Sequence, residues 1–316
     1  MTSFTSFLVA PAFALACAVS AAAAPRVAVD IPPIHSLVAR VMVGVGAPAL
    51  ITPPGATPHG RAMKPSEAAA LDGADLVFWV GEALSPGLGR LIGNLSPGVV
   101  VKLMEAQGVT LLPYREGAGF AAHGASRHDD GHGHDHDHDH GHGDGRNDPH
   151  IWLDPVNGEA ILAAAAAALS KTDPENAALY AANAAAGKQE LEALRGDIDA
   201  ALAPVRGRSF VVLHDAFHYF EARFAFEAAG ALSPPDASAP GPAWVQEFRD
   251  LIGARGVVCA FIEPQMNPKL LMAAVEGTPA RVGVLDPLGV DLAPGPELYP
   301  ALLGNLARSL ADCLAE

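Results

Sequence analysis

Short apolar segments alternate with helical segments twice along this chain of 316 residues, and a long alanine-rich stretch separates the two series. The first series predicts strands at 26–31, 49–52, 75–80 and 99–103, with helices at 35–43 and 65–71. The second predicts strands at 209–213, 257–262 and 281–285, with helices at 243–254, 268–276 and 297–314. Apolar strands that alternate with helices favour parallel sheets covered on both faces. The sequence therefore predicts an α/β protein of two lobes, each with a mostly parallel sheet flanked by helices.

The alanine-rich stretch divides the chain into its expected domains. It predicts a short helix that ends near Lys171 and a long helix from Pro174 to about Ala203. A chain of 316 residues is also too long for most single cores. We therefore expect an N-terminal lobe at 25–172, a linking helix at 173–204 and a C-terminal lobe at 205–316.

The N-terminus has the pattern of an export signal. An apolar run at 7–19 precedes small residues, which predicts a signal peptide at 1–24 with cleavage near Ala23 or Ala24. The first 25 residues contain no Lys or Arg, which departs from the usual basic start of such signals. A short membrane anchor and a lipid-modified Cys17 are the alternatives.

Two cysteines remain after the signal, Cys259 and Cys313, and they are 54 residues apart. An exported protein meets an oxidising compartment, where such a pair forms a disulfide. We expect that disulfide, with two buried free thiols as the alternative.

The formal net charge of −15, from 35 acidic and 20 basic residues, argues against a nucleic-acid partner.

A histidine-rich loop is expected at 115–147 within the first lobe. It holds almost nothing apolar and cannot form a core, whereas imidazole beside carboxylate is a ligand set for Zn²⁺ and related ions. The run predicts accessory, weak metal binding, with a solvated linker or an expression tag as the alternatives. Its histidines are His123, His128, His132, His134, His136, His138, His140 and His142.

Four polar residues follow strands or the histidine-rich loop and are candidates for a precise metal site. They are His59, His150, His214 and Asp286. Ligands of open α/β sheets bind beyond the carboxyl ends of the strands. Two histidines from the first lobe, with one histidine and one carboxylate from the second, form a tetrahedral zinc set across a cleft.

Several motifs together resemble the periplasmic zinc-binding proteins of high-affinity zinc uptake ABC transporters, a family of metal-specific solute-binding proteins. The motifs are LITPPGATPHGRAMKPSEAAALDGADLVFWVG, DPHIWLDP, VVLHDAFHYFEARF, CAFIEPQ and VGVLDPLG, and the resemblance runs from about Arg26 to the C-terminus. It implies two lobes joined by a rigid helix, and Zn²⁺ as the bound metal. It also implies delivery to a membrane permease with its ATPase, a periplasmic location, a monomer and no enzymatic activity.

The resemblance assigns metal ligation to the positions of His59, His150 and His214, with a carboxylate at Asp286 able to complete the shell. Some family members carry Glu immediately before the first histidine, where this chain has Pro58, so Asp286 or water must supply the fourth ligand. His218 and His35 remain open as ligands or as residues of the cleft wall.

The alternatives to zinc uptake are manganese or another divalent metal, a zinc buffer or adhesin, and a zinc hydrolase. Manganese-binding relatives carry a carboxylate at the third ligand position, where this chain has His214, which favours zinc. The hydrolase would need a general base, but the sequence contains no His-Glu-x-x-His motif. Besides Asp286, Glu263 is the obvious acid after a strand, and we expect it to hold a cleft loop or a histidine.

Overall fold

The computed structural model describes residues 23–60, 64–95, 98–120 and 147–315. The eight histidines of the run at 123–142 lie outside these residues, and so does all of the predicted signal peptide except its last two residues. Cys17 is likewise outside the described part of the chain.

The first lobe is built on a four-stranded parallel sheet with the strand order β2-β1-β3-β4. Its strands are β1 (Val27–Val29), β2 (Ala49–Leu50), β3 (Leu76–Trp79) and β4 (Val99–Lys102). The connecting helices are α1 (Pro32–Val41), α2 (Pro65–Asp72) and α3 (Pro86–Leu95). Strands β1 and β3 are buried along their whole length, because helices cover both faces of the sheet. Each helix begins with a proline, whose fixed φ suits the first helical turn.

Two helices connect the lobes. Helix α4 (Pro155–Thr172) is followed by a 3-10 turn at Pro174–Asn176 and by the long helix α5 (Ala177–Leu202). The two helices pack along each other. The sequence predicted this pair with nearly the same bounds, and the difference is that the first turn of the long helix is 3-10.

The second lobe repeats the design, with the strand order β6-β5-β7-β8 and all neighbours parallel. Its strands are β5 (Phe210–His214), β6 (Gly230–Ser233), β7 (Cys259–Ile262) and β8 (Arg281–Val284). Its helices are α6 (His218–Phe224), α7 (Pro242–Ala254), α8 (Lys269–Val275) and α9 (Leu298–Ala315). The α/β architecture of two parallel sheets is as predicted.

Three elements were not predicted, namely α3, α6 and β6. Strand β6 reads Gly-Ala-Leu-Ser and contains no β-branched or aromatic residue, so local propensity gives no sign of it. It forms because it pairs with β5 and lies buried. Helix α6 has only seven residues, which is too short to show a clear helical period.

One apolar core extends through both lobes. It joins side chains of β1, such as Val29, to side chains of β5 and of α9, such as Phe210 and Leu303. Helix α9 contacts α1 of the first lobe as well as α5 and β8. The predicted disulfide between Cys259 and Cys313 is present, and it ties α9 to β7.

Among the described residues, no helix is long and apolar enough to cross a membrane.

The chain on either side of the histidine-rich segment is paired. Pro113 and Asn147 form an antiparallel β-bridge, and the backbone N–H of Asp148 donates to the Leu112 carbonyl at 2.8 Å. The two ends of the segment therefore lie side by side.

Candidate metal centre

Three of the histidines singled out in the sequence meet at one point between the lobes. Ring nitrogens of His59, His150 and His214 all lie within 4.8 Å of one another. His59 Nε2 is 3.3 Å from His150 Nε2, and the ring centroids of His150 and His214 are 4.9 Å apart. Imidazole nitrogens at this spacing suit one tetrahedrally coordinated cation.

Each histidine reaches the centre from a different part of the fold. His214 is the last residue of β5. His59 lies in the loop after β2, where its backbone N–H donates to the Thr57 hydroxyl at 3.2 Å. His150 precedes the turn that leads into α4. The second residue of that turn, Trp152, donates its indole N–H to the Pro287 carbonyl of the second lobe at 2.8 Å. The centre therefore forms only when both lobes are in place.

Carboxylates hold two of the three rings. Asp148 Oδ1 lies 2.7 Å from His150 Nδ1, and Glu263 Oε2 lies 3.3 Å from His214 Nδ1. A carboxylate on Nδ1 fixes the orientation of the ring and directs Nε2 toward a metal. The expectation that Glu263 holds a histidine agrees with this contact. Asp148 was not singled out in the sequence, although its position two residues before His150 in Asp-Pro-His was a usable signal.

His214 differs from the other two rings because its second nitrogen also has a partner. Its Nε2 lies 3.1 Å from the Pro235 carbonyl, which can only accept a hydrogen bond. With Glu263 on Nδ1 and Pro235 on Nε2, both nitrogens donate. His214 must therefore give up the Pro235 carbonyl when it binds a cation through Nε2.

The pKa values also separate His214 from His59 and His150. Burial, followed by repulsion from the neighbouring rings, lowers the pKa of His59 and of His150 well below the usual range. Burial opposes protonation of His214 too, but the charge and hydrogen bond of Glu263 outweigh it and raise the pKa of His214 to about 9. Burial also raises the pKa of Asp148 to about 7. Two rings are thus ready to bind a metal at neutral pH, and the third carries a proton.

The three histidines line a small pocket that is partly open to solvent. Its volume of about 20 Å³ is sufficient for one water-sized species. The wall is formed by the three histidines and by Thr57, Pro58, Trp152, Glu263, Gln265, Met266, Pro287 and Leu288.

Asp286 follows β8 as predicted, but its carboxylate is directed toward its own loop. Oδ1 accepts the N–H groups of Leu288 and Gly289 at 3.0 and 2.9 Å, and Oδ2 accepts that of Val290 at 2.6 Å. Oδ1 also accepts a hydrogen bond from Gln265 Nε2 at 2.6 Å. Asp286 is not part of the three-histidine group that the described residues form.

The two remaining candidate histidines lie outside the group. His35, on α1, is buried and donates from Nε2 to the Pro48 carbonyl at 3.0 Å. His218 begins α6, and its Nδ1 lies 3.9 Å from Asp148 Oδ2. Asp148 also contacts the ring of His150, so His218 lies beside a residue that orients one of the three histidines.

A buried ionic cluster joins the base of the histidine-rich segment to the centre. Arg115 lies between Asp215 and Glu221, with Nη1 at 2.5 Å from Glu221 Oε2 and Nε at 3.2 Å from Asp215 Oδ2. Its guanidinium also lies over the Phe120 ring, 3.5 Å from the centroid. Because Asp215 directly follows His214, the cluster fixes the end of β5 relative to the segment. Nothing in the sequence indicates this pairing, since the partners are about 100 residues apart.

Comparisons with known proteins place this geometry in a family. The family model described as "Zinc-uptake complex component A periplasmic" matches residues 27–313. "High-affinity zinc uptake system protein ZnuA" of Brucella suis biovar 1 (strain 1330) is 44% identical over 334 aligned positions and covers 100% of both chains. The protein of the same name from Paracoccus denitrificans (strain Pd 1222) is 41% identical, with 98% of both chains covered.

A solved structure described as "Crystal structure of ZnuA" superposes with a TM-score of 0.74 at 23% identity, and covers 92% of this chain and 99% of the other. At this identity the likeness concerns the fold, and it agrees with the architecture of two lobes. The family model, which spans nearly the whole chain, and the full-length relatives carry the assignment. The chain belongs to the ZnuA family of periplasmic zinc-uptake components.

Proposed function

We propose that this protein captures Zn²⁺ outside the cytoplasm with His59, His150 and His214 and delivers it to an ABC-type permease driven by its ATPase. The observation that carries this proposal is the group of three ring nitrogens within 4.8 Å of one another. The relatives named for high-affinity zinc uptake support the transport role. We further propose that the protein works as a monomer in the periplasm after loss of residues 1–24.

The ligand set supports zinc over manganese. Imidazole suits borderline ions such as Zn²⁺, whereas Mn²⁺ favours a shell rich in oxygen. His214 offers its ring nitrogen Nε2 as a metal ligand, while Glu263 contacts the other ring nitrogen, Nδ1. We expect zinc to displace manganese from the protein in competition.

The cavity supports binding rather than catalysis. At about 20 Å³ the pocket has the size of one ion or water molecule, far below the usual volume of a site for an organic substrate. The sequence also contains no His-Glu-x-x-His motif. We infer a transport role without enzymatic activity.

The histidine-rich run is proposed as an accessory to this centre. The composition of the run offers no apolar packing to hold its ligands in place, so we expect zinc binding there to carry an ordering cost. The run should therefore bind zinc more weakly and supply it to the centre. Its base is held near the centre by Arg115, through Asp215.

Zinc titration by calorimetry of the mature protein tests the proposal. Wild type and a variant lacking residues 121–145 should both keep one tight equivalent, and the deletion should remove only weak equivalents. His59→Ala should lose the tight equivalent. His35→Gln is the matched control, because His35 is a buried histidine outside the group, and it should bind as wild type does.

Two results would contradict the proposal. Loss of the tight equivalent in the deletion variant would place the main site in the run. Tight binding by His59→Ala would exclude the three-histidine centre.

A growth experiment tests the transport role. A strain without the gene should grow slowly under zinc depletion, and the wild-type gene should restore growth whereas His59→Ala should not. If the protein were a zinc buffer or an adhesin, the deletion would cause no such growth defect.

A further inference from the structure

We propose that Gln265 supplies the fourth metal ligand through its amide oxygen Oε1, and that Asp286 acts by orienting Gln265. This inference rests on the proposed zinc-binding function. It concerns the position that a tetrahedral ion leaves to a fourth donor after His59, His150 and His214 have bound.

The orientation of the Gln265 amide follows from its partner. Asp286 Oδ1 lies 2.6 Å from the amide nitrogen and already accepts two backbone N–H groups, from Leu288 and Gly289. An ionised carboxylate can only accept, so the NH₂ group of Gln265 must face Asp286. The carbonyl oxygen is therefore directed away from Asp286.

That carbonyl oxygen has no other use in the described part of the chain. Oε1 of Gln265 is buried and has no hydrogen-bond partner there, and Gln265 lines the cavity together with the three histidines. A buried polar oxygen without a hydrogen-bond partner is destabilising. Coordination of the ion would remove that cost.

The carboxylates near the centre lie farther from the three histidine nitrogens than these nitrogens lie from one another. Among the described residues, the donor group within 4.8 Å contains no carboxylate oxygen. Glu263 contacts His214 Nδ1 through Oε2, and its Oε1, although buried and without a hydrogen-bond partner among the described residues, is not within 4.8 Å of the group. Both oxygens of Asp286 are engaged with its own loop. Gln265 is in the wall of the pocket, whose volume is about 20 Å³, so its amide oxygen competes with a single water molecule for the fourth position.

Cobalt-loaded wild-type protein gives a direct test, because Co²⁺ replaces Zn²⁺ and is paramagnetic. If Gln265 is the fourth ligand, the electron paramagnetic resonance lines should not broaden in H₂¹⁷O, since no water is bound to the metal. Broadening in the wild type would overturn the proposal. This measurement needs no variant and is therefore independent of any effect of mutation on folding.

Variants give the second test. Gln265→Leu should bind zinc about 10–100-fold more weakly and should gain ¹⁷O broadening, because water replaces the lost ligand. Gln246→Leu is the matched control, since Gln246 also donates its amide to an aspartate, Asp250, but lies exposed on α7. It should match the wild type in affinity and spectrum.

Asp286→Ala separates orientation from ligation. It should weaken binding in the same direction, and the double variant with Gln265→Leu should be no weaker than Gln265→Leu alone, because both changes remove the same contact. If Asp286→Ala abolishes binding while Gln265→Leu leaves it unchanged, Asp286 is the ligand and the proposal is wrong. A wild-type protein that binds no zinc would instead refute the proposed function.

Discussion

At the scale of single residues, His214 differs from the other two histidines in its protonation state near pH 7. His59 and His150 are neutral near pH 7, because burial and neighbouring rings lower their pKa values. His214, between Glu263 and the Pro235 carbonyl, has a pKa raised to about 9. A metal that binds Nε2 of His214 has to displace a proton.

Zinc binding at pH 7 is therefore expected to release about one proton per ion. Because His214 holds its proton until the pH reaches about 9, zinc affinity should rise by up to tenfold per pH unit toward that value. The same raised pKa stabilises the folded, metal-free protein below pH 6.5, and this contribution is lost as the pH rises to about 9. Calorimetry in buffers with different ionisation enthalpies measures the proton.

Glu263→Gln provides the control for this prediction. It removes the charge that raises the pKa of His214, so proton release at pH 7 should fall well below that of the wild type. Equal proton release by wild type and variant would show that Glu263 does not hold the proton on His214.

The sequence allowed the three histidines to be named as candidates, and among their partners it indicated only Glu263. His59 and His214 could be named because they follow strands of parallel sheets, whose carboxyl ends form binding sites. The partners depend on tertiary placement: Glu263 meets His214 across two neighbouring strands, and Gln265 meets Asp286 between the loops after β7 and β8. The hydrogen bonds of Asp286 to its own loop likewise become visible only once the turn at 286–290 is folded.

At the scale of elements, close helix packing supports the segment that carries His150. Gly158 of α4 faces Tyr299 of α9, and a Cβ at position 158 would lie 2.6 Å from the tyrosine hydroxyl oxygen. That hydroxyl donates to the Trp152 carbonyl at 2.7 Å. The helical periods of α4 and α9 could be recognised in the sequence, whereas the need for glycine at their contact could not.

Gly158→Ala should therefore destabilise the protein, even though alanine is the better helix former. Overpacking costs about 1–3 kcal/mol, against a gain in helix propensity of about 1 kcal/mol. Chemical denaturation measures the free energy of unfolding. Gly196→Ala in α5 is the control, because nothing lies within 4 Å of the added Cβ, and it should stabilise by about 1 kcal/mol. Equal gains in stability from both substitutions would contradict the proposed packing role of Gly158.

At the scale of the whole molecule, the disulfide fixes the helix that contacts both lobes. It joins Cys259 of β7 to Cys313 of α9, across 54 residues of sequence. Helix α9 packs on α1 of the first lobe and on α5. The cross-link therefore restricts the unfolded chain and also holds a helix that the two lobes share.

Replacing both cysteines by alanine should lower the free energy of unfolding by about 4 kcal/mol, from the loop-closure entropy of a loop of this length. Urea denaturation of the metal-free protein measures the change. Reduction of the wild type is the control, because it breaks the same bond and keeps every side-chain atom. A reduced wild type as stable as the oxidised protein would contradict this expectation.

The bridge between Pro113 and Asn147 has a consequence for how such chains diversify. Because Pro113 and Asn147 lie side by side, insertions or deletions within 121–146, which spare the contacts of Arg115 and Phe120, should leave Asp148 and His150 in place. Loop-closure free energy grows by only about 0.6 kcal/mol for each doubling of loop length. Under the accessory role proposed above, the number of histidines in the run could therefore change by insertion or deletion, and we expect the affinity of the buried centre to stay the same.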